Sequence, residues 1–179
     1  MTETSRRAAL ADIREFLFRA GALAVLLVLL FGVVFGLALQ PDDTMHPHIK
    51  PGDLLLFYRL PRGYTAGEVV VLDKDGRRYT GRVAARGGDT VEVTAANSLV
   101  INGSVVAEPD IYEPTPPYED GPAYPLTLAE GEYFILCDAR AGARDSRWFG
   151  PVQTGEIQGR VIPIMRSTGI CHDPHGRGA

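Results

Sequence analysis

In the stretch DDTMHPHIKPGD, residues 42–53, a single hydroxyl, that of Thr44, sits beside two histidines, His46 and His48. A hydroxyl attacks an acyl carbon efficiently only when a base takes its proton, and histidine titrates in the range suited to that task. A Thr44–His48 pair is one reading. The simpler one leaves both histidines solvated or facing an interface beside a membrane, with Pro47 between them.

Other residues carry chemistry in principle. Cys171, His172 and His175 have zinc-ligand types, but three donors in the Gly-rich tail STGICHDPHGRGA define no site, and neither a metal nor a cofactor is expected. Asp138, Asp145 and Arg147, with Ser146 between the last two, read as a turn network joined by charge-assisted hydrogen bonds. Trp148 and Phe149 suit either a membrane interface or a core cap. Cys137 and Cys171 would share an oxidising compartment that permits a disulfide; two thiols do not establish one, and separate thiols are the plainer reading.

The elements that hold these residues follow from hydropathy and periodicity. The 179 residues suit one compact domain with an appendage, and a net charge of −4 argues against a nucleic-acid partner. From Ala20 to Leu39 no residue is charged, and twenty helical residues measure about 30 Å, the thickness of a bilayer's hydrocarbon core. This predicts a transmembrane helix over 20–39, preceded by a cytoplasmic segment 1–19 whose apolar spacing extends the helix. A cleaved signal peptide would have a shorter apolar region and a better small-x-small site than Ala38-Leu39-Gln40. Arg6, Arg7, Arg14 and Arg19 all precede the span, which predicts a cytoplasmic N-terminus and an extracytoplasmic domain over 41–166.

That domain reads as antiparallel β structure. Short β-branched or aromatic runs at 53–60, 68–73, 77–85, 90–93, 99–103, 132–137 and 156–165 alternate with turn residues, and Lys74-Asp75-Gly76 and Asn102-Gly103 suit tight hairpins. The segment 108–126, rich in proline and tyrosine, cannot be a central strand and reads as a long loop crossing the β body rather than a Pro-rich ligand. The tail 167–179 reads as loosely ordered.

Three segments in this order resemble the type I signal peptidases, membrane-anchored serine proteases. TMHPHIKPGD keeps Met45, Pro47, Gly52 and Asp53 of a nucleophile box S-M-x-P-T-L-x-x-G-D. YTGRVAARGGD keeps Arg82, Val83, Gly88 and Asp89 of a box close to x-x-K-R-V-I-G-L-P-G-D. GEYFILCDARAGARDSRWFGPV resembles G-E-Y-F-V-M-G-D-N-R-x-x-S-x-D-S-R-x-F-G-P-V, keeping Asp138, Arg140, Asp145, Ser146, Arg147, Gly150, Pro151 and Val152. The resemblance implies a mainly β domain on the membrane surface, with Thr44 in the nucleophile position and Met45 and Pro47 beside a bound peptide.

The same resemblance exposes what is missing. The family's base, a buried lysine kept neutral by apolar surroundings, falls at Gly81; the histidine of the eukaryotic branch is absent too, and the adjacent guanidinium of Arg82 cannot serve. The supporting serine falls at Ala143. Asp42 falls where many bacterial members place an oxyanion-stabilising hydroxyl, and a carboxylate there repels developing negative charge. Loss of the base alone costs about 10⁶ in turnover in subtilisin. The sequence therefore predicts that no side chain stands where Thr44 could hand off its proton, and that peptide binding outlasts cleavage. Catalytically silent relatives in pilus assembly, acting on pilins with sortases, set the expected partners; an active peptidase using Thr44 is the alternative, and a general surface scaffold a third.

Overall fold

The computed structural model of the protein describes residues 3–61, 63–108, 111 and 113–165. Cys171, His172, His175 and the tail from Ser167 lie outside them. Helix α1 (Glu3–Leu29) passes through a π-helical turn at Leu30–Val34 directly into strand β1 (Phe35–Leu39). Asp12–Val34 is long and apolar enough to cross a membrane, with a mean hydropathy of 2.5, and its most apolar window is not buried against the rest of the protein.

The run expected to be helical over 20–39 therefore divides. Its last five residues pair with β2 (Leu54–Tyr58), Phe35 opposite Tyr58 and Leu39 opposite Leu54. Hydropathy without periodicity does not separate a lipid-facing helix from a strand. The difference lies in packing: a Cβ on Gly36 would fall 2.2 Å from Phe57 Cζ, so glycine admits that ring. Ala38 turns inward while Leu37 and Leu39 stay exposed.

The remaining elements are β3 (Val69–Lys74), β4 (Arg77–Arg86), β5 (Thr90–Val93), β6 (Leu99–Ile101), β7 (Ser104–Val105), β8 (Leu126–Thr127), β9 (Glu132–Leu136), the short helix α2 (Ser146–Phe149), β10 (Val152–Gln153) and β11 (Ile157–Met165). They form a seven-stranded sheet in the order β1-β2-β11-β3-β4-β9-β10 and a four-stranded sheet in the order β7-β6-β5-β8, each pairing antiparallel. The fold is the mainly antiparallel β domain behind an apolar helix that the sequence predicts. Asp75 and Gly76 at one hairpin, and Asn102 and Gly103 at another, all have positive φ, the requirement of a two-residue turn that matches strand twist.

The loop 108–126 crosses the body and is fastened to it. Arg140, 2 % exposed, binds the side chains of Glu108 and Thr115. Arg147, fully buried, donates from Nη1 to Pro116 O at 3.3 Å, and Tyr118 donates its hydroxyl to Ala143 O at 2.8 Å.

Candidate active site

Thr44 sits on a tight turn anchored from beneath. Met45 and Ile49, both fully buried, pack with Ala38, Leu55, Phe57, Val71, Cys137 and Ala143. Ala139 N–H donates to Thr44 O at 2.9 Å. Gly52 N–H donates to Gln40 O and Gln40 N–H to Asp53 O, at 2.8 and 3.0 Å, so the base of the loop is closed like a strand pair. Gly52, at φ 87°, supplies the bend. Met45, expected beside a bound peptide, is instead a core residue that holds the turn; Pro47 is exposed and does not line the cleft described below.

The Thr44 hydroxyl has a hydrogen-bond acceptor that the sequence reading does not foresee. Oγ1 donates to Asp42 Oδ1 at 2.6 Å. The same oxygen accepts from Gln40 Nε2 at 2.8 Å and from Thr44 N–H at 3.2 Å, and Gln40 Nε2 also lies 3.3 Å from Thr44 Oγ1. Asp42 is thus both an Asx-type cap of the turn and the partner of the hydroxyl, a short-range contact of the kind Asp makes with backbone two residues on. It fixes the Gln40 amide with its nitrogen inward, which leaves Oε1 buried without a partner. Among the described residues, no lysine or histidine is hydrogen-bonded to Thr44 Oγ1.

Gly81 lies buried on β4 opposite Val70. A Cβ there would stand 2.5 Å from Ile135 Cγ2 and 3.2 Å from Leu136 O. The strand's neighbours have closed over the place where the resemblance puts a lysine. Ala143 is buried and packs in the cluster below Thr44.

Cys137 occupies this neighbourhood instead. It directly precedes Asp138, at the glycine of the third box, and its Sγ lies 3.7 Å from Thr80 O. Burial pushes the thiol pKa well up and the Asp145 carboxylate adds to the rise, outweighing Arg147 and a hydrogen bond with Thr44; the protonated thiol is a poor nucleophile. Cys137, Thr80 and Gln40 were not legible as site residues, although the cysteine in a glycine position was a visible departure.

His48 is engaged by another residue. Its Nδ1 lies 3.0 Å from Asp138 Oδ2, and Arg82 grips both oxygens of that carboxylate, Nε to Oδ1 at 2.9 Å and Nη2 to Oδ2 at 2.6 Å. The Thr44–His48 pair is not formed. Asp145 and Arg147, fully buried, pair through Nε to Oδ1 at 2.9 Å and Nη2 to Oδ2 at 2.8 Å. Asp145 Oδ2 also accepts from Cys137 N–H at 3.1 Å, and Ser146 Oγ from Ile135 N–H at 2.9 Å. These side chains complete the backbone hydrogen bonding of β9 where no strand lies alongside. Phe149 packs on Tyr79 with ring centres 5.5 Å apart, whereas Trp148 stays half-exposed beneath the Arg144 guanidinium.

Thr44 opens onto a cleft of about 480 Å³ lined in part by Ala38, Leu39, Gln40, Arg78 and Thr80. Two strand edges meet there. β1 is the end strand of its sheet. On β4, Val83 bonds to the residues just before β3, Glu68 O and Gly67 N–H, so by antiparallel alternation Thr80 and Arg78 turn their backbone groups to the other side. β9 pairs that side only from Arg82 onward. Unpaired strand edges accept extended peptides by main-chain hydrogen bonding.

The model of the family described as signal peptidase, peptidase S26, matches residues 13–165. Signal peptidase I of Bacillus licheniformis is 31% identical over 141 residues, 72% of this chain and 75% of that protein. A probable signal peptidase I-2 of Synechocystis is 29% identical over 155 residues, 78% and 68% of the two chains. A crystal structure of a signal peptidase I from Enterococcus faecalis aligns over 57% of this chain and all of that one, at 27% identity and a TM-score of 0.49. The apolar helix and these relatives support a membrane-anchored protein. With a family match over most of its length, and with its nucleophile-box turn and the start of its β4 box lining one cleft, the chain belongs to the signal peptidase family, peptidase S26.

Proposed function

We propose that the protein is a catalytically silent signal peptidase-like protein, anchored with its N-terminus in the cytoplasm, that holds extended segments of secreted or pilus polypeptides outside the membrane and assists their assembly. The observation that carries this reading is the base position: Gly81 is buried under Ile135, and among the described residues the partners of Thr44 Oγ1 include no amine or imidazole. The two open edges around the cleft favour retained peptide binding. The orientation rests on the arginines that precede the helix; a pilin and a sortase remain the partners suggested by the resemblance.

A second reading has its own support. The 2.6 Å contact between Thr44 and Asp42 gives the hydroxyl an acceptor, and an active peptidase would use it as a weak base in place of the lysine. A reconstituted membrane assay on a secretory precursor separates the two. No cleavage above that of Thr44→Ala is expected. Cleavage by the wild type that Thr44→Ala abolishes makes the protein an enzyme, and its loss in Asp42→Asn then assigns the base. Co-purification with a pilin or sortase from the native membrane tests the assembly role.

A further inference from the structure

The charges around the cleft say more about what enters it. Although the chain carries a net charge of −4, three arginines, Arg77, Arg78 and Arg144, line this one cleft alongside a single acidic residue, Asp42. Asp42 is already engaged by the Thr44 hydroxyl, the Thr44 N–H and the Gln40 amide. Arg78 is held by Asp73 in an exposed pair, Nε to Oδ1 at 2.9 Å. Arg77 and Arg144 have no carboxylate partner among the described residues; Arg144 is stacked 4.5 Å from the Trp148 ring. Glu119 and Asp120 share a neighbouring hollow with Arg144 but form no ion pair with it.

We propose that this cleft selects extended polypeptides carrying an acidic side chain, which the Arg77 and Arg144 guanidinium groups receive while the peptide main chain pairs with the open edges of β1 and β4. The proposal rests on the reading that the cleft binds polypeptide, and adds the chemistry of the segment bound. Stacking on Trp148 leaves the guanidinium N–H groups at its edge available for a carboxylate, and the aromatic face limits the freedom lost on binding. Arg77 and Arg144, with no carboxylate partner among the described residues, therefore favour a ligand carboxylate.

The test is fluorescence anisotropy with the full chain in detergent and labelled alanine-rich peptides bearing Asp, Ala or Lys at one central position. The Asp peptide is expected to bind roughly threefold to fivefold more tightly than the Ala peptide at low salt, with the Lys peptide weakest and the preference shrinking as salt rises. Arg77→Ala combined with Arg144→Ala should abolish the preference for the Asp peptide over the Ala peptide. Equal affinity for the Asp and Ala peptides, or a preference untouched by the double variant, overturns the proposal but leaves peptide binding intact. Binding of none of the peptides overturns both readings. If the double variant instead loses adhesion to vesicles containing anionic phospholipid, with no peptide preference in the wild type, the arginines serve the membrane surface and the proposal fails.

Discussion

Thr44 directs its hydroxyl at Asp42, two residues upstream on the same turn, and not at any residue of β4. The contact is local, so it survives independently of the base position. Asp42→Ala leaves the Gln40 amide and the Thr44 N–H without their shared acceptor and should cost about 1–2 kcal/mol. Asp42→Asn, which keeps an acceptor oxygen, should cost less. Chemical denaturation of the detergent-solubilised protein reads both, and equal costs would count against the hydrogen-bonded turn.

At Gly81 the sign of a stability change is diagnostic. In a strand, glycine is ordinarily worse than alanine by roughly 0.5–1 kcal/mol. Here Gly81→Ala should destabilise by about 1–3 kcal/mol, because the new Cβ meets Ile135 Cγ2 and nearby backbone. In an Ile135→Ala background that cost should shrink. By the same argument, rebuilding the family's residues as Thr44→Ser, Gly81→Lys and Ala143→Ser should restore cleavage only when Ile135 is also trimmed.

The buried Asp145–Arg147 pair should be the most sensitive point of the domain. Arg147→Met strips the partner from a carboxylate that is 2 % exposed, and about 3–5 kcal/mol is expected. Arg147 also reaches Pro116 O and Arg140 O, so limited proteolysis in the 113–121 loop should accelerate with it. An unchanged cleavage pattern would separate the loop from the pair.

Asp89 supplies a pH dependence. The Arg86 backbone N–H, followed by the Asn102 amide, holds its carboxyl below the usual carboxylate range. A carboxylate with a lowered folded-state pKa stabilises above its unfolded value and loses that contribution as the pH falls through the folded value. The wild type should therefore lose stability relative to Asp89→Asn as the pH drops below about 4. Parallel stability curves for the two proteins across that range would contradict the assignment.

Cys137 should resist alkylation in the folded protein at neutral pH, since burial keeps it protonated. In a Cys171→Ser background, iodoacetamide labelling should appear only with denaturant. Rapid labelling of the native protein would show the thiol to be open.

Much of the β domain was readable because its information is local. Each of the seven β-branched runs contains a strand, and the Asp75-Gly76 and Asn102-Gly103 turns fall where positive φ requires them. β1 was hidden because its partner β2 lies some twenty residues away, and its apolar residues are equally at home in a bilayer. At Gly81 the departure is visible in the sequence itself, since glycine carries no group that transfers a proton. The site was illegible where a short side chain finds a new partner: Asp42 read as a repulsive neighbour of an oxyanion, and nothing in the sequence said that it would accept the Thr44 hydroxyl's hydrogen bond. His48 reads as a potential base beside Thr44, yet Asp138, ninety residues further along, claims it.

The passage from α1 through a single π-helical turn into β1 leaves no coil between anchor and sheet. Any roll or tilt of the anchor in a bilayer is handed straight to the strand that forms one lip of the cleft. Adding or deleting residues within 30–34 should therefore shift or swivel the whole mouth of the groove relative to the helix rather than loosen it.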